Sequence, residues 1–321
     1  MPVAGSDLAA DVLTLLCFLQ GNDVKPRPLR FLPQKAIARI SLLMCDPDAV
    51  PHTPVVSEFS TRRMRLVHYL AEATGLIAHS GSFLKPTPAA LLWLTLPSIE
   101  RTHQIFVHGL APQSREEQRL WKTYRLPGWR LRQPTNAVRR VLSLLRAAQT
   151  DVPLTIEMLF PPISVPDMIE AIVLPPDVAR ELLNYLAWFG VIQWLDLSTV
   201  CVTDLGRALL SDGRPVPAQP DPALPPVVIT DEGDIIAADS SDWPTLFALS
   251  ELADLIAVHP QRRYRLQQER VQRAAQRGMT EAQIVQMLVS ASGDLLPQSV
   301  RTQIQQWTSG TGFGWIAQVC V

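Results

Sequence analysis

The chain has 321 residues, enough for two or three ordinary domains and a substantial buried core. At 47% hydrophobic and 18% charged residues it is too apolar and too weakly charged for a disordered polymer, and its 28 prolines against 15 glycines favour helix starts and stiff connections over glycine-rich phosphate loops. The formal net charge of −1 excludes a uniformly basic nucleic-acid binder but conceals an uneven distribution: residues 1–150 carry +9, residues 151–225 carry −7 and residues 226–321 carry −3.

Along the chain, helical periodicity dominates the first two thirds. Ser6-Asp7 opens a helix with Leu8, Val12, Leu15, Leu16 and Leu19 on one face, and Gly21-Asn22 stops it. Asp7 and Asp11 in this stretch, with no basic leader or small-residue cleavage site, argue for a packed helix and against a signal peptide. Pro33 starts a second helix that turns Ala36, Ile37, Ile40 and Leu43-Met44 inward, and a proline-containing loop, 45–56, leads to a third over 60–74 with Met64, Val67, Leu70 and Ala71 buried.

The next segment recurs later in the chain. Tyr69-Leu70-Ala71 runs to Gly75, then a short strand, a polar turn at 79–82, a second strand through Phe83-Leu84-Lys85, and Thr87-Pro88 opening a helix. Tyr185-Leu186-Ala187 runs likewise to Gly190, strand, turn, Val200-Cys201-Val202, and Thr203-Asp204 opening a helix; both the tyrosines and the threonines lie 116 residues apart. A helix followed by a two-stranded ribbon is the pattern of a winged helix, and the matched spacing favours two such modules over two unrelated helix–hairpin–helix pieces. Many winged helices serve only protein contacts, so the pattern alone does not give DNA binding.

Residues 212–226 form a proline-dense linker that acts as a semi-rigid spacer. Beyond it, Val227–Thr230 and Asp234–Ala237 flank Asp231-Glu232-Gly233 as a hairpin, followed by a helix over 243–252, strands at 255–258 and 264–266, and helices over 267–277, 280–290 and 297–307. Gly278 and Gly293 are stops, Thr280-x-x-Gln283 is a capping box, Pro297 suits a first helical turn, and 315–319 reads as a final strand. The expected organisation is a helical winged-helix domain over 1–110, a second winged-helix domain with a basic lead-in over 111–211, the linker 212–226, and an α+β domain over 227–321. The fold class is mainly α with α+β.

Catalytic signatures are missing. No G-x-x-x-x-G-K-[ST], G-x-S-x-G or HExxH sequence occurs, and Gly312 and Gly314 reach a strand rather than a helix N-terminus. The six histidines are scattered, with His103 and His108 five apart, and Cys17, Cys45, Cys201 and Cys320 show neither metal-ligand nor disulfide-framework spacing. No enzyme activity, metal or cofactor is expected, and a reducing cytoplasm is the expected compartment. No uncharged apolar run reaches membrane-spanning length.

What remains is charge. Arg62, Arg63 and Arg65 open the helix before the first hairpin. Residues 113–146 carry a local +7, with Trp121, Tyr124 and Trp129 interleaved among Arg115, Arg119, Lys122, Arg125, Arg130, Arg132, Arg139, Arg140 and Arg146. Arginine with aromatics suits phosphates plus base stacking, so Arg62, Arg63, Arg65, Arg115, Arg119, Lys122, Arg130, Arg132, Arg139 and Arg140 are the candidate nucleic-acid contacts. The competing account keeps Trp121 and Tyr124 in the core and neutralises the arginines against the acidic 151–225 segment. A third basic feature, Arg262-Arg263 with Arg265 and then Arg270, Arg273 and Arg277, lies within a net-acidic region.

Residues 224–307 resemble the N-terminal accessory domain of XPB-type DNA helicases, the bacterial helicase-associated domain. The resemblance rests on Leu224-Pro225-Pro226-Val227-Val228-Ile229, Gly233–Ala237, Leu252–Leu255, Tyr264-Arg265-Leu266, Arg270–Gly278 and Leu296-Pro297-Gln298-Ser299-Val300 before Gln306-Trp307. It carries no catalytic signature and implies an accessory role outside an ATPase motor. It also implies docking of 227–321 onto a helicase or a second copy of the chain. The expected function is a non-enzymatic accessory protein of DNA repair or transcription, binding duplex or single-stranded DNA and/or an XPB-type helicase; the alternative is a protein-interaction scaffold without nucleic acid.

Overall fold

The computed structural model describes residues 7–45, 57–110, 114–126, 136–160, 176–211, 227–238 and 241–309. The linker 212–226 and the expected strand at 315–319 lie outside these residues. The fold is mixed α and β, predominantly helical, with small antiparallel sheets in the manner of an α+β protein.

Helix α1 (Leu8–Gly21) is the axis of the core. Asp7 caps it by accepting from Ala9 N at 2.8 Å. Its apolar positions Leu8, Val12, Leu13, Leu15, Leu16 and Leu19 are all buried, each contributing about 1.5–3 kcal/mol relative to an exposed side chain. The single face expected from the periodicity is too narrow, because Asp11 and Thr14 are buried as well. The reason is contact on two sides. One side meets α2 (Gln34–Ser41), α3 (Arg62–Ala73), α5 (Ser98–Leu110) and the first hairpin, and the other meets elements more than two hundred residues away.

The first hairpin is β1 (Ile77–Ser80) and β2 (Phe83–Pro86), paired antiparallel, with Val24 bridging to Leu84. Helix α4 (Pro88–Thr95) follows. Next come α6 (Arg115–Thr123), α7 (Asn136–Ala147), the short β3 (Leu154–Thr155), α8 (Ile156–Leu159) and α9 (Pro176–Trp188). The second hairpin, β4 (Ile192–Trp194) with β5 (Thr199–Val202), takes β3 as a third antiparallel strand in the order β3-β5-β4, and α10 (Asp204–Leu210) follows it.

The two helix–hairpin–helix units share one hydrogen-bond scheme. Gly75 and Gly190 end α3 and α9 at φ 70° and 71°, a left-handed conformation that glycine adopts without steric cost. The next amide reaches back to Ala71 O (from Leu76, 2.8 Å) or to Leu186 O (from Val191, 2.9 Å). After each hairpin a threonine hydroxyl donates to that glycine's carbonyl, Thr87 to Gly75 at 2.6 Å and Thr203 to Gly190 at 2.5 Å. The glycines are 115 residues apart and the threonines 116, so the second hairpin is one residue longer. Tyr69 and Tyr185, six and five residues before their glycines, therefore do not occupy equivalent helical positions, despite their 116-residue spacing.

The third sheet has the order β6-β7-β9-β8, all antiparallel, from β6 (Val228–Ile229), β7 (Asp234–Ala237), β8 (Ala253–Ala257) and β9 (Arg262–Leu266). Helix α11 (Trp243–Leu249) is capped by Asp242, which accepts from Thr245 N at 3.0 Å, and it stops three residues short of the expected end because Ala253 is taken into β8. Helices α12 (Gln268–Gln276), α13 (Glu281–Ser292) and α14 (Gln298–Ser309) complete the C-terminal part. The Thr280–Gln283 capping box and the left-handed Gly293 stop bound α13 as expected, whereas Pro297 sits just before α14 rather than inside its first turn.

This C-terminal part packs directly on the N-terminal helices. Helix α1 touches α11 and β8, and α4 touches α11 through Trp93 and Trp243, with ring centroids 5.6 Å apart. Arg101 lies 3.7 Å above the Trp243 ring, a cation–π contact. Buried Arg262 donates to Ala10 O (3.0 Å) and to Thr14 Oγ1 (3.2 Å), Arg273 to Gly21 O (3.2 Å), His259 Nε2 to Cys45 O (3.1 Å) and the Cys17 thiol to Leu246 O (3.8 Å). Burial pushes the Cys17 thiol up to about 11.

Candidate nucleic-acid interface

Helix α6 is held by its inner side. Ser114 Oγ accepts from Glu117 N at 3.1 Å, while Glu116 and Glu117 in the first turn and Lys122 in the last complement the helix dipole. Trp121 and Tyr124 are fully buried and meet the Tyr69 ring edge-on at 5.0 and 6.1 Å. Glu117 meets His108 Nδ1 of α5 at 3.1 Å, and the Tyr124 hydroxyl donates to Glu72 Oε2 at 2.9 Å. These anchors fix the helix rotation, so Arg115, Arg119 and Lys122, at i, i+4 and i+7, form one outward stripe. All three are exposed, and none carries an ion pair among the described residues.

The other candidates separate. Arg62 is exposed at the start of α3. Arg63 points inward, 1% exposed, with Nε 2.5 Å from Asp11 Oδ2, so it is a core cation and not part of the exposed set. Arg65 is half-buried, with no hydrogen-bond partner for its Nε among the described residues. Arg139 and Arg140 are exposed on α7, which packs on α10, where Arg146 Nε donates to Leu210 O at 2.7 Å. Arg130, Arg132 and Trp129 lie outside the described residues. Burial removes Trp121 and Tyr124 as stacking platforms and leaves the α6 stripe as charge alone.

Two residues outside the candidate contacts flank this helix, Arg125 of the basic stretch and Arg30, which the sequence reading missed. Arg30 ends a 3-10 turn, Pro28–Arg30, at φ 71°, and its Nη1 lies 3.5 Å from Glu72 Oε1. Arg125 sits at φ 47° with its guanidinium 4.6 Å from the Phe59 ring. The only sequence signal for Arg30 is its place after the basic, proline-rich Lys25-Pro26-Arg27-Pro28.

Two of the C-terminal arginines, Arg263 and Arg265, share one carboxylate through their strand register. Asp234 faces Arg265 across β7 and β9, accepting from Arg265 Nε at 2.7 Å and from Arg263 Nη2 at 3.0 Å. The Arg265 hydrogen bonds, more than those of Arg263, hold the Asp234 carboxyl below the usual carboxylate range, against a smaller opposing cost of burial. Arg270 pairs with Asp254, which also binds Arg39 of α2 at 2.9 Å. Among the described residues no three His, Cys, Asp or Glu side chains converge as a metal site, and no helix is long and apolar enough to cross a membrane.

Beneath α6 lies a buried acid–histidine pair. His68 Nδ1 is 3.1 Å from both carboxylate oxygens of Glu58, both side chains are fully buried, and the imidazole meets the Tyr124 ring at 5.1 Å. Burial is the largest influence on His68 and favours the neutral ring, but Glu58's charge and hydrogen bond, with the charge of Glu72, outweigh it and raise the pKa. A raised folded-state value means that the stability from the charged pair is fully present below the unfolded histidine value, about 6.5, and is lost as pH rises through the folded value. Urea unfolding on either side of that window is expected to show wild-type stability falling with rising pH, and the fall disappearing in Glu58→Gln. Equal slopes in the two proteins would remove the pair from the pH response.

No family model and no curated protein sequence matches the chain.

Proposed function

We propose that the chain is a non-enzymatic accessory protein of DNA transactions that holds a nucleic-acid backbone through the α6 stripe. One observation carries this reading: Arg115, Arg119 and Lys122 share an exposed helical face and carry no ion pair among the described residues. That arrangement fits phosphate contact better than internal neutralisation by the described acidic residues of 151–160 and 178–211. Because Trp121 and Tyr124 are core residues, binding through α6 is to phosphates and is sequence-tolerant.

In this reading the two helix–hairpin–helix units are winged helices used for packing. Eight of the twelve residues of α3 are buried, which leaves Arg62 and half-buried Arg65 as its only arginines open to a groove. That burial also favours the second reading, a protein-interaction scaffold. A helicase partner, implied by the resemblance of 224–307, would meet the C-terminal part away from β8 and α11, a side already covered by α1.

Fluorescence anisotropy at low salt with labelled duplex and single strand separates the two readings. Binding by the full chain, weakened in the Arg115→Gln/Arg119→Gln/Lys122→Gln variant, is the expected result. No affinity for either strand form leaves the scaffold reading.

A further inference from the structure

The stripe borders a hollow whose chemistry is more specific than a charged surface. A depression of about 550 Å³ is lined by Arg30, Arg115 and Arg119, with Glu116, Leu120 and Thr123. An adjoining depression of about 490 Å³ shares Arg30, Glu116 and Leu120 and brings in Glu72 and Glu117. The two together make a trough with Arg115 and Arg119 at one end and Glu72 and Glu117 at the other, and Arg30 and Glu116 line both.

Arg30 is the informative member. A left-handed backbone is uncommon for a non-glycine residue, and such outliers persist where the surroundings over-determine them. Two prolines, Pro26 and Pro28, stiffen the segment, and the turn closes through Arg27 N to Phe31 O at 2.7 Å and Arg30 N to Arg27 O at 3.1 Å. Its guanidinium holds Glu72 only loosely, at 3.5 Å and half-exposed. Arg115 and Arg119, one turn apart on α6, have no anionic partner among the described residues.

We propose that Arg30, Arg115 and Arg119 form a phosphate subsite, which takes one phosphoryl oxyanion, from a nucleic-acid backbone or from a free phosphoryl group. The inference rests on the nucleic-acid reading above for its principal source of phosphate. Guanidinium forks match phosphate oxygens in bidentate geometry, which lysine does not reproduce. Glu72 and Glu117, which line the adjoining depression alone, oppose an anion there and favour its place among the arginines, with Glu116 beside both.

The test uses the full chain and three single variants: Arg30→Gln, Arg115→Lys and Glu116→Gln. Each is read by anisotropy with labelled DNA and by calorimetric titration with inorganic pyrophosphate, after circular dichroism confirms folding. Arg30→Gln is expected to weaken DNA binding about tenfold, as for loss of a hydrogen bond to a charged group. Arg115→Lys keeps the charge but loses the fork and falls in between, while Glu116→Gln tightens binding about twofold as a like charge leaves. DNA binding that none of the three alters overturns the subsite and leaves the nucleic-acid reading standing. Pyrophosphate binding that requires Arg30, in a chain that binds no DNA, keeps the subsite, assigns a free phosphoryl group as its ligand and removes the nucleic-acid reading. Binding of neither probe overturns both.

Discussion

Replacing Asp11 with alanine is expected to destabilise the protein by about 3–5 kcal/mol, the cost of breaking a buried ion pair from one side. Asp11 is fully buried in the first turn of α1, where it accepts from Arg63 Nε at 2.5 Å and from Cys45 N at 2.7 Å. Both charges lie where α1 meets α3, helices whose Leu8, Val12, Leu15, Met64, Leu66 and Val67 are buried core residues. The carboxylate that breaks the apolar run of α1 is thus the group that joins α1 to α3. Changing both residues together, as Asp11→Leu/Arg63→Met, is expected to cost less than the sum of the single changes, because no uncompensated charge remains. Denaturant unfolding of the three variants measures this. An Asp11→Ala loss under about 1 kcal/mol would be the behaviour of a solvated surface pair, contrary to the burial described.

Gly21→Ala is expected to cost about 2–4 kcal/mol, more than the usual penalty for one added methyl. The position closes α1 against the C-terminal part, and a Cβ there would lie 1.4 Å from Arg270 Nη1 and 2.5 Å from the Ser250 carbonyl oxygen. Arg270 cannot swing away cheaply. It is buried, donates to Ser250 O at 2.7 Å and pairs with Asp254, which in turn holds Arg39. The added methyl therefore either breaks a buried ion pair or pushes the backbone after α11 away from α1. A thermal midpoint equal to wild type would mean that α1 and this backbone are not apposed.

Much of the fold is legible in the sequence because its signals are local. Asp7, Thr203, Asp242 and Thr280 each cap a helix through a neighbour two or three residues on, and Gly75, Gly190 and Gly293 end helices by their own backbone freedom. What escaped is set by distant partners. Burial of α1 on both sides depends on Leu246 and Arg262, more than two hundred residues away, and no periodicity within α1 encodes it. The inward turn of Arg63 depends on Asp11, 52 residues earlier. At the site, the +7 density of 113–146 showed where charge lies, and the i, i+4, i+7 spacing of Arg115, Arg119 and Lys122 against Trp121 and Tyr124 already separates the outward stripe from the inward aromatics. The pairing of Arg263 and Arg265 with Asp234 needed the β7–β9 register, which the hairpin turn alone does not fix.

The salt dependence of DNA binding by the full chain tests the central claim most directly. Each phosphate neutralised on a duplex contributes a slope of about −0.9 to log K against log salt concentration. Wild type is expected to bind with a slope near −3 or steeper, and the Arg115→Gln/Arg119→Gln/Lys122→Gln variant to lose about 2.7 of it, whatever the base sequence. An affinity that is flat with salt, or a slope unchanged by removal of the stripe, would contradict backbone contact through α6.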